Sequence, residues 1–166
     1  MGDIACRVIQ FYLNEYVIDK NLFKIVGPNA FIHTFPNELD LLVVRKDAEP
    51  MQFTNMYMAD KVIAVIGIKT TGVFNLKDID KQVTVFDSIK NKFPGIDCLY
   101  ISLQERATEN PEAINYVTKT KTALETRGYG AFIFRDTRTK NIFSGSLKVL
   151  RKDLHPTLRI KTYKKP

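Results

Sequence analysis

Apolar residues first recur at helical spacing. Ile4, Val8, Phe11 and Tyr12 fall one to four positions apart, and after Gly2 neither Gly nor Pro interrupts the chain before residue 20. A helix is predicted over residues 2–19, with that apolar face turned to the core. Glu15 lies four residues after Phe11 and seven after Val8, so it shares the face. It reads either as a boundary residue reaching solvent or as an acid at the edge of a pocket.

From residue 30 the pattern becomes strand-like. In AFIHTFPNELDLLVVRK, residues 31–35 and 39–44 are predicted as two strands joined by a tight Pro-Asn-Glu connection. The second run is almost continuously apolar, with Asp40 embedded near its start. KDAEPMQFTNMYMAD follows as a turn-rich connection whose Met51, Met56 and Met58 pack or form a mobile flap. A third strand spans residues 62–68 and ends at Lys69; Gly67 interrupts it, although glycine weakens a strand interior.

TTGVFN then reads as a loop whose Asn75 caps a helix, with Asp78 in the first turn. Leu76, Ile79, Val83, Phe86, Ile89 and Phe93 give that helix a continuous apolar stripe. FPGI stops it, and DCLYISL is a further buried strand. Residues 112–127 are expected to be helical and GYGAFIFRD to contain a strand, with the Gly128–Gly130 bracket a turn or helix stop, not a phosphate loop. The last 24 residues have no assignable pattern.

Composition narrows the class. The chain of 166 residues, 45% hydrophobic, suits a single domain over 1–166, with a core at 4–103 and a basic extension at 112–166. No apolar run is long enough for a membrane helix, and MGDIACRVIQ does not read as a secretory signal, so a cytoplasmic protein without membrane partners is expected. Cys6 and Cys98 are read as packed, reduced thiols. With His33 and His155 isolated as well, no zinc site is expected. The net charge of +7 is uneven: residues 119–166 hold 13 Lys and Arg against three acids, and the rest is net acidic. Such a partition suggests a carboxylate-bearing site beside a surface for a polyanion.

The chemistry centres on Asp40 and Lys69, each at odds with an apolar strand and on strands that can be neighbours. A carboxylate and a lysine there suit metal-assisted phosphodiester hydrolysis; a plain ion pair at a sheet edge fits the two residues equally well. No GxxxxGK[ST] loop exists, which argues against an ATPase or phosphotransferase.

NELDLLVV, then VIAVIGIKTTG, an amphipathic helix and CLYISL together resemble the PD-(D/E)XK nuclease superfamily over about residues 4–103. The resemblance implies an α/β fold with a restriction-endonuclease-like core. A mixed central β-sheet is flanked by helices in the order α-β-β-β-α-β, with a basic C-terminal α+β extension. It implies a DNA endonuclease of restriction or defence type that uses Mg²⁺ or Mn²⁺. Asp40 matches the first acid and Lys69 the lysine, while the second acid falls at position 67, where this chain has Gly67. The backbone carbonyl of Ile68 remains as a metal ligand. An inactivating substitution of Glu, a naturally dead homologue, or migration of the acid to Glu38 or Glu15 would each explain the departure. Metal binding and cleavage should be impaired in the first two cases.

Further carry-over from the resemblance makes Glu15 a first-helix acid that completes the metal site. Glu38, two residues from Asp40, becomes a direct or outer ligand. Gln82 lies in the helix where some relatives carry a functional glutamine, with simple surface exposure the plainer expectation. Thr70 and Thr71 contact phosphate or close their own loop. Arg127, Arg135, Arg138, Lys140, Lys148, Arg151 and Lys152 are candidates for DNA phosphate binding. A homodimer is expected for cutting both strands, with a companion methyltransferase or defence-system subunit. The alternatives are a non-catalytic nucleic-acid-binding module with the same fold, or an interaction domain whose basic tail binds an acidic partner.

Overall fold

The computed structural model describes residues 2–16, 18–69, 76–102, 119 and 121–133. Helix α1 (Gly2–Tyr16) leads into β1 (Phe23–Val26), β2 (Phe31–Ile32), β3 (Leu41–Arg45) and β4 (Met56–Tyr57). A single 3-10 turn (Ala59–Lys61) precedes β5 (Val62–Lys69), and then come α2 (Leu76–Lys92), β6 (Asp97–Ser102) and β7 (Gly130–Ile133). Five strands form one sheet in the order β1-β3-β5-β6-β7. The β1–β3 and β3–β5 pairs are antiparallel, whereas β5–β6 and β6–β7 are parallel. Helix α2 is the crossover that lets β5 and β6 run in parallel.

Strand periodicity divides the core between two faces. Leu42, Val44, Val65, Cys98 and Tyr100 meet Ile79, Val83, Phe86 and Ile89 of α2 on one side. On the other, Leu41, Val43, Ala64, Ile66, Leu99 and Ile101 meet Cys6, Ile9 and Leu13 of α1. Coverage on both faces explains why the strands read as near-continuous apolar runs. Cys6 and Cys98 are buried free thiols, and burial pushes the Cys98 thiol up to about 12. Among the described residues no helix is long and apolar enough to cross a membrane.

Two elements differ from the sequence expectation. The first strand of the sheet is β1, not residues 31–35. The latter segment stops at Ile32 because Thr34 turns to a positive φ of 68° and the Phe35 N–H closes back on the Ile32 carbonyl at 2.9 Å. β2 pairs in parallel with β4, and one bridge, Ala30 to Leu39, is what forms of the expected hairpin. Helix α1 is also rotated from the expected orientation. Ala5, Cys6, Ile9 and Leu13 face the sheet, while Ile4, Val8 and Phe11 are 68%, 50% and 64% exposed. The rotation follows from β1 being an edge strand. Gln10 Nε2 donates to the Ile25 carbonyl at 2.9 Å and the Ile25 N–H donates to Asn14 Oδ1 at 3.1 Å, so α1 satisfies the open edge.

Residues 121–125 are helical and stop at Gly128, whose φ of +77° suits glycine. The N–H groups of Gly128 and Tyr129 return to the carbonyls of Glu125 and Leu124, closing a Schellman motif. Tyr129 then packs edge-on against Phe86 with centroids 5.3 Å apart and donates its hydroxyl to Asp87.

Candidate active site

Strand β3 leaves β5 early. Their last paired residues toward the end of β5 are Leu41 and Ile66, yet β5 runs on to Lys69 with β6 still paired through Gly67–Tyr100, Ile68–Ile101 and Lys69–Ser102. Among the described residues, one edge of β5 therefore lacks a strand partner just where the sequence carries its polar residues. The Asp40 side chain takes that place: its Oδ2 accepts the Ile68 N–H at 2.6 Å. An extended residue turns its N–H and C=O toward the same edge, so the Ile68 carbonyl faces this side too.

Gly27, at a φ of +135°, lies so close to the Asp40 carbonyl that a Cβ there would collide with it. The glycine lets the chain after β1 back the residue that bears the acid.

Glu38, Asp40, Gly67, Ile68, Lys69 and Gln82 share a cleft of about 270 Å³, walled by Leu39, Val65, Ile66 and Val85. Burial is the main influence on Asp40 and holds its carboxyl above the ordinary carboxylate range. The Ile68 N–H and the Lys69 charge pull it down, and Glu38 adds to the rise. Glu38 and Lys69 are exposed at the mouth, whereas Asp40 and Gln82 are half-buried. The cleft thus brings a desolvated carboxylate, a second carboxylate, a lysine and a carboxamide around one free strand edge. It suits an anionic substrate and a hard cation together.

The same architecture is found in solved structures. Over 94% of this chain and 79% of theirs, NucC of P. aeruginosa ATCC27853 in its cAAA-bound form superposes with a TM-score of 0.60 at 15% identity. NucC of E. coli MS115-1, also cAAA-bound, covers 97% of this chain and 79% of its own with a TM-score of 0.61 at 14% identity. The fold is restriction-endonuclease-like. No family model matches the sequence, and no curated protein matches it significantly. The NucC likeness and the sequence reading agree on the core, a mixed sheet with helices on both faces.

The remaining candidates separate clearly. Glu15 is not brought to the cleft. It lies on the outward face of α1, beyond the opposite side of the sheet, and pairs with Lys20 at 2.7 Å. The sequence reading was right that Glu15 shares a face with Val8 and Phe11, but that face is turned to solvent. Arg127 is exposed and 3.7 Å from Asp87. Thr70, Thr71, Asn75, Arg135, Arg138, Lys140, Lys148, Arg151 and Lys152 lie outside the described residues.

Gln82, expected on the surface, instead lines the cleft. Its place three residues after Ile79 and four before Phe86 puts it within the buried stripe of α2, a signal available from helical spacing alone. Ser102, the register partner of Lys69, is fully buried and its Oγ has no hydrogen-bond partner among the described residues.

Proposed function

We propose that this chain is a DNA endonuclease of a defence system, hydrolysing phosphodiester bonds at the Asp40–Lys69 cleft with Mg²⁺ or Mn²⁺. The lack of a carboxylate at position 67 weakens it. One observation carries the reading: Asp40, bonded to the Ile68 N–H, lies with Lys69 at the end of β5, beyond its pairing with β3. The restriction-endonuclease-like fold it shares with the NucC structures supports the reading, and the choice of DNA rests on the motif resemblance. No observation supports a companion methyltransferase.

The donor set fits the metal. Asp40 and Glu38 offer carboxylates, Ile68 a carbonyl and Gln82 an amide, with neither sulfur nor imidazole among the described residues that line the cleft. Mg²⁺ commonly keeps several waters and uses one or two protein carboxylates beside substrate phosphate. Among the described residues no three His, Cys, Asp or Glu side chains are grouped to hold an ion, so an ion here would need the Ile68 carbonyl, the Gln82 amide and water beside the two carboxylates. When bound, the ion supplies Lewis-acid polarisation of the phosphate and a more acidic water.

The chain's own residues do the rest. The Ile68 N–H fixes the direction of the Asp40 carboxylate, so its remaining lone pairs face the cleft in one orientation. Lys69, exposed at the mouth, attracts the phosphodiester and offsets charge that builds on its oxygens. Glu38 Oε atoms at the same mouth can accept a proton from the attacking water. The basic segment 119–166 holds the DNA by its phosphates, and a homodimer presents two clefts to the two strands.

Plasmid and oligonucleotide cleavage with Mg²⁺ or Mn²⁺ tests the reading. The wild-type chain is expected to nick DNA slowly, Gly67→Glu faster, and Asp40→Ala or Lys69→Ala not at all. Equal cleavage by wild type and Asp40→Ala sinks it. The glycine at position 67 also favours a second reading, a non-catalytic nucleic-acid-binding module. Salt-sensitive DNA binding without cleavage, even by Gly67→Glu, selects that one.

A further inference from the structure

Gly67 has no backbone reason to be glycine, because its φ lies outside the left-handed region. What distinguishes the position is its neighbour. A Cβ built on Gly67 would lie 2.8 Å from Gln82 Nε2, 3.0 Å from Cδ and 3.1 Å from Oε1. The carboxamide of Gln82 therefore occupies the room that any side chain at 67 would enter. It comes from α2, across the face of the sheet, and borders the same cleft as Asp40 and the Ile68 edge. A half-buried polar side chain in the stripe of Ile79, Val83, Phe86 and Ile89 gives up packing that a leucine would supply, so its amide needs another use.

We infer that Gln82 replaces the missing acid: its carboxamide oxygen is a metal-ligating group of the Asp40 cleft, and Gly67 is the recess that admits it. Amide oxygens are ordinary ligands for hard cations but carry no charge, so the site binds more weakly than one with two carboxylates. Glycine and glutamine then form one unit, with neither residue useful without the other. The inference rests on the metal-dependent reading of the cleft given above.

Mn²⁺ binding, followed by electron paramagnetic resonance or calorimetry without DNA, provides a readout independent of cleavage. Gln82→Ala and the better-packing Gln82→Met are expected to weaken Mn²⁺ binding about tenfold or more, and Gln82→Glu to tighten it by a similar factor. Gly67→Ala should weaken binding as well. Its added methyl displaces the end of a flexible side chain, which moves at little cost to folding. The double variant Gly67→Ala/Gln82→Ala is expected to be no worse than either single one, because both remove the same ligand. Melting temperatures identify any variant that loses binding by unfolding, and Gln82→Met serves if Gln82→Ala does so.

Unchanged Mn²⁺ affinity in folded Gln82→Ala and Gln82→Met overturns the inference. So does a wild-type chain that binds no Mn²⁺ while Gly67→Glu does, a result that leaves the nuclease reading intact. If wild type, Gly67→Glu and Gln82→Glu all neither bind Mn²⁺ nor cut DNA, both readings fall.

Discussion

Asp40 has to serve folding and chemistry under conflicting demands. Its carboxyl is held above the usual range because burial removes water from the charged form. For an acid with a raised folded pKa, the stability it contributes is fully present below the unfolded value of about 3.8. That stability is lost as pH rises through the folded value. Asp40→Asn keeps an oxygen for the Ile68 N–H and carries no charge. It is therefore expected to melt at a higher temperature than wild type at pH 7, with the difference closing as pH falls below 3.8, while cleavage disappears. Thermal melts from pH 3 to 8 check the sign. Asp40 and Lys69 were legible in the sequence because each is a charge bordering an apolar run, Asp40 just before β3 and Lys69 at the end of β5, which asks for an explanation. Gln82 was legible only in part: its spacing puts it in the buried stripe of α2, yet a polar residue on an amphipathic helix normally needs no further explanation. Its approach to the bare Cα of Gly67, fifteen residues away in sequence, is what singles it out.

At the scale of elements, α2 and β5 could be read from their spacing, because long apolar patterns bounded by turn residues leave little choice. Strand β1 was hidden: four residues, one of them Lys24, carry too little pattern to stand out. Missing β1 also meant misjudging α1, since the edge of β1 is what orients that helix. Gln10 and Asn14 lie one turn apart and both reach Ile25, which leaves Phe11 and Val8 pointing away. The clamp should be measurable. Asn14→Ala is expected to lower stability by about 1 kcal/mol in denaturant titration, through loss of the Ile25 N–H partner. Phe11→Ser, a far larger change in hydrophobicity, should cost less than about 0.5 kcal/mol because the residue is already in water. The opposite ranking would mean the helix sits as the bare apolar pattern suggested.

For the whole molecule, charge is the property the sequence states most openly: a net-acidic body carries the cleft and a basic segment follows it. Affinity for duplex DNA should fall steeply with salt, by roughly 10²-fold between 50 and 200 mM for about four neutralised phosphates. Fluorescence anisotropy across that range checks it, and a flat response would point away from DNA. The sheet adds a different expectation. β5 is its middle strand, with partners running in opposite directions on its two sides, so its amides belong to the part of the fold that opens last. In an amide exchange map they should form one slow block, and within it the Ile68 amide depends on a side chain for its bond. Asp40→Ala is then expected to speed exchange at that one amide and spare Val65 and Ile66. A single backbone proton would thereby report the condition of the cleft, letting ligands be screened by NMR without DNA, a cleavage assay or an attached label.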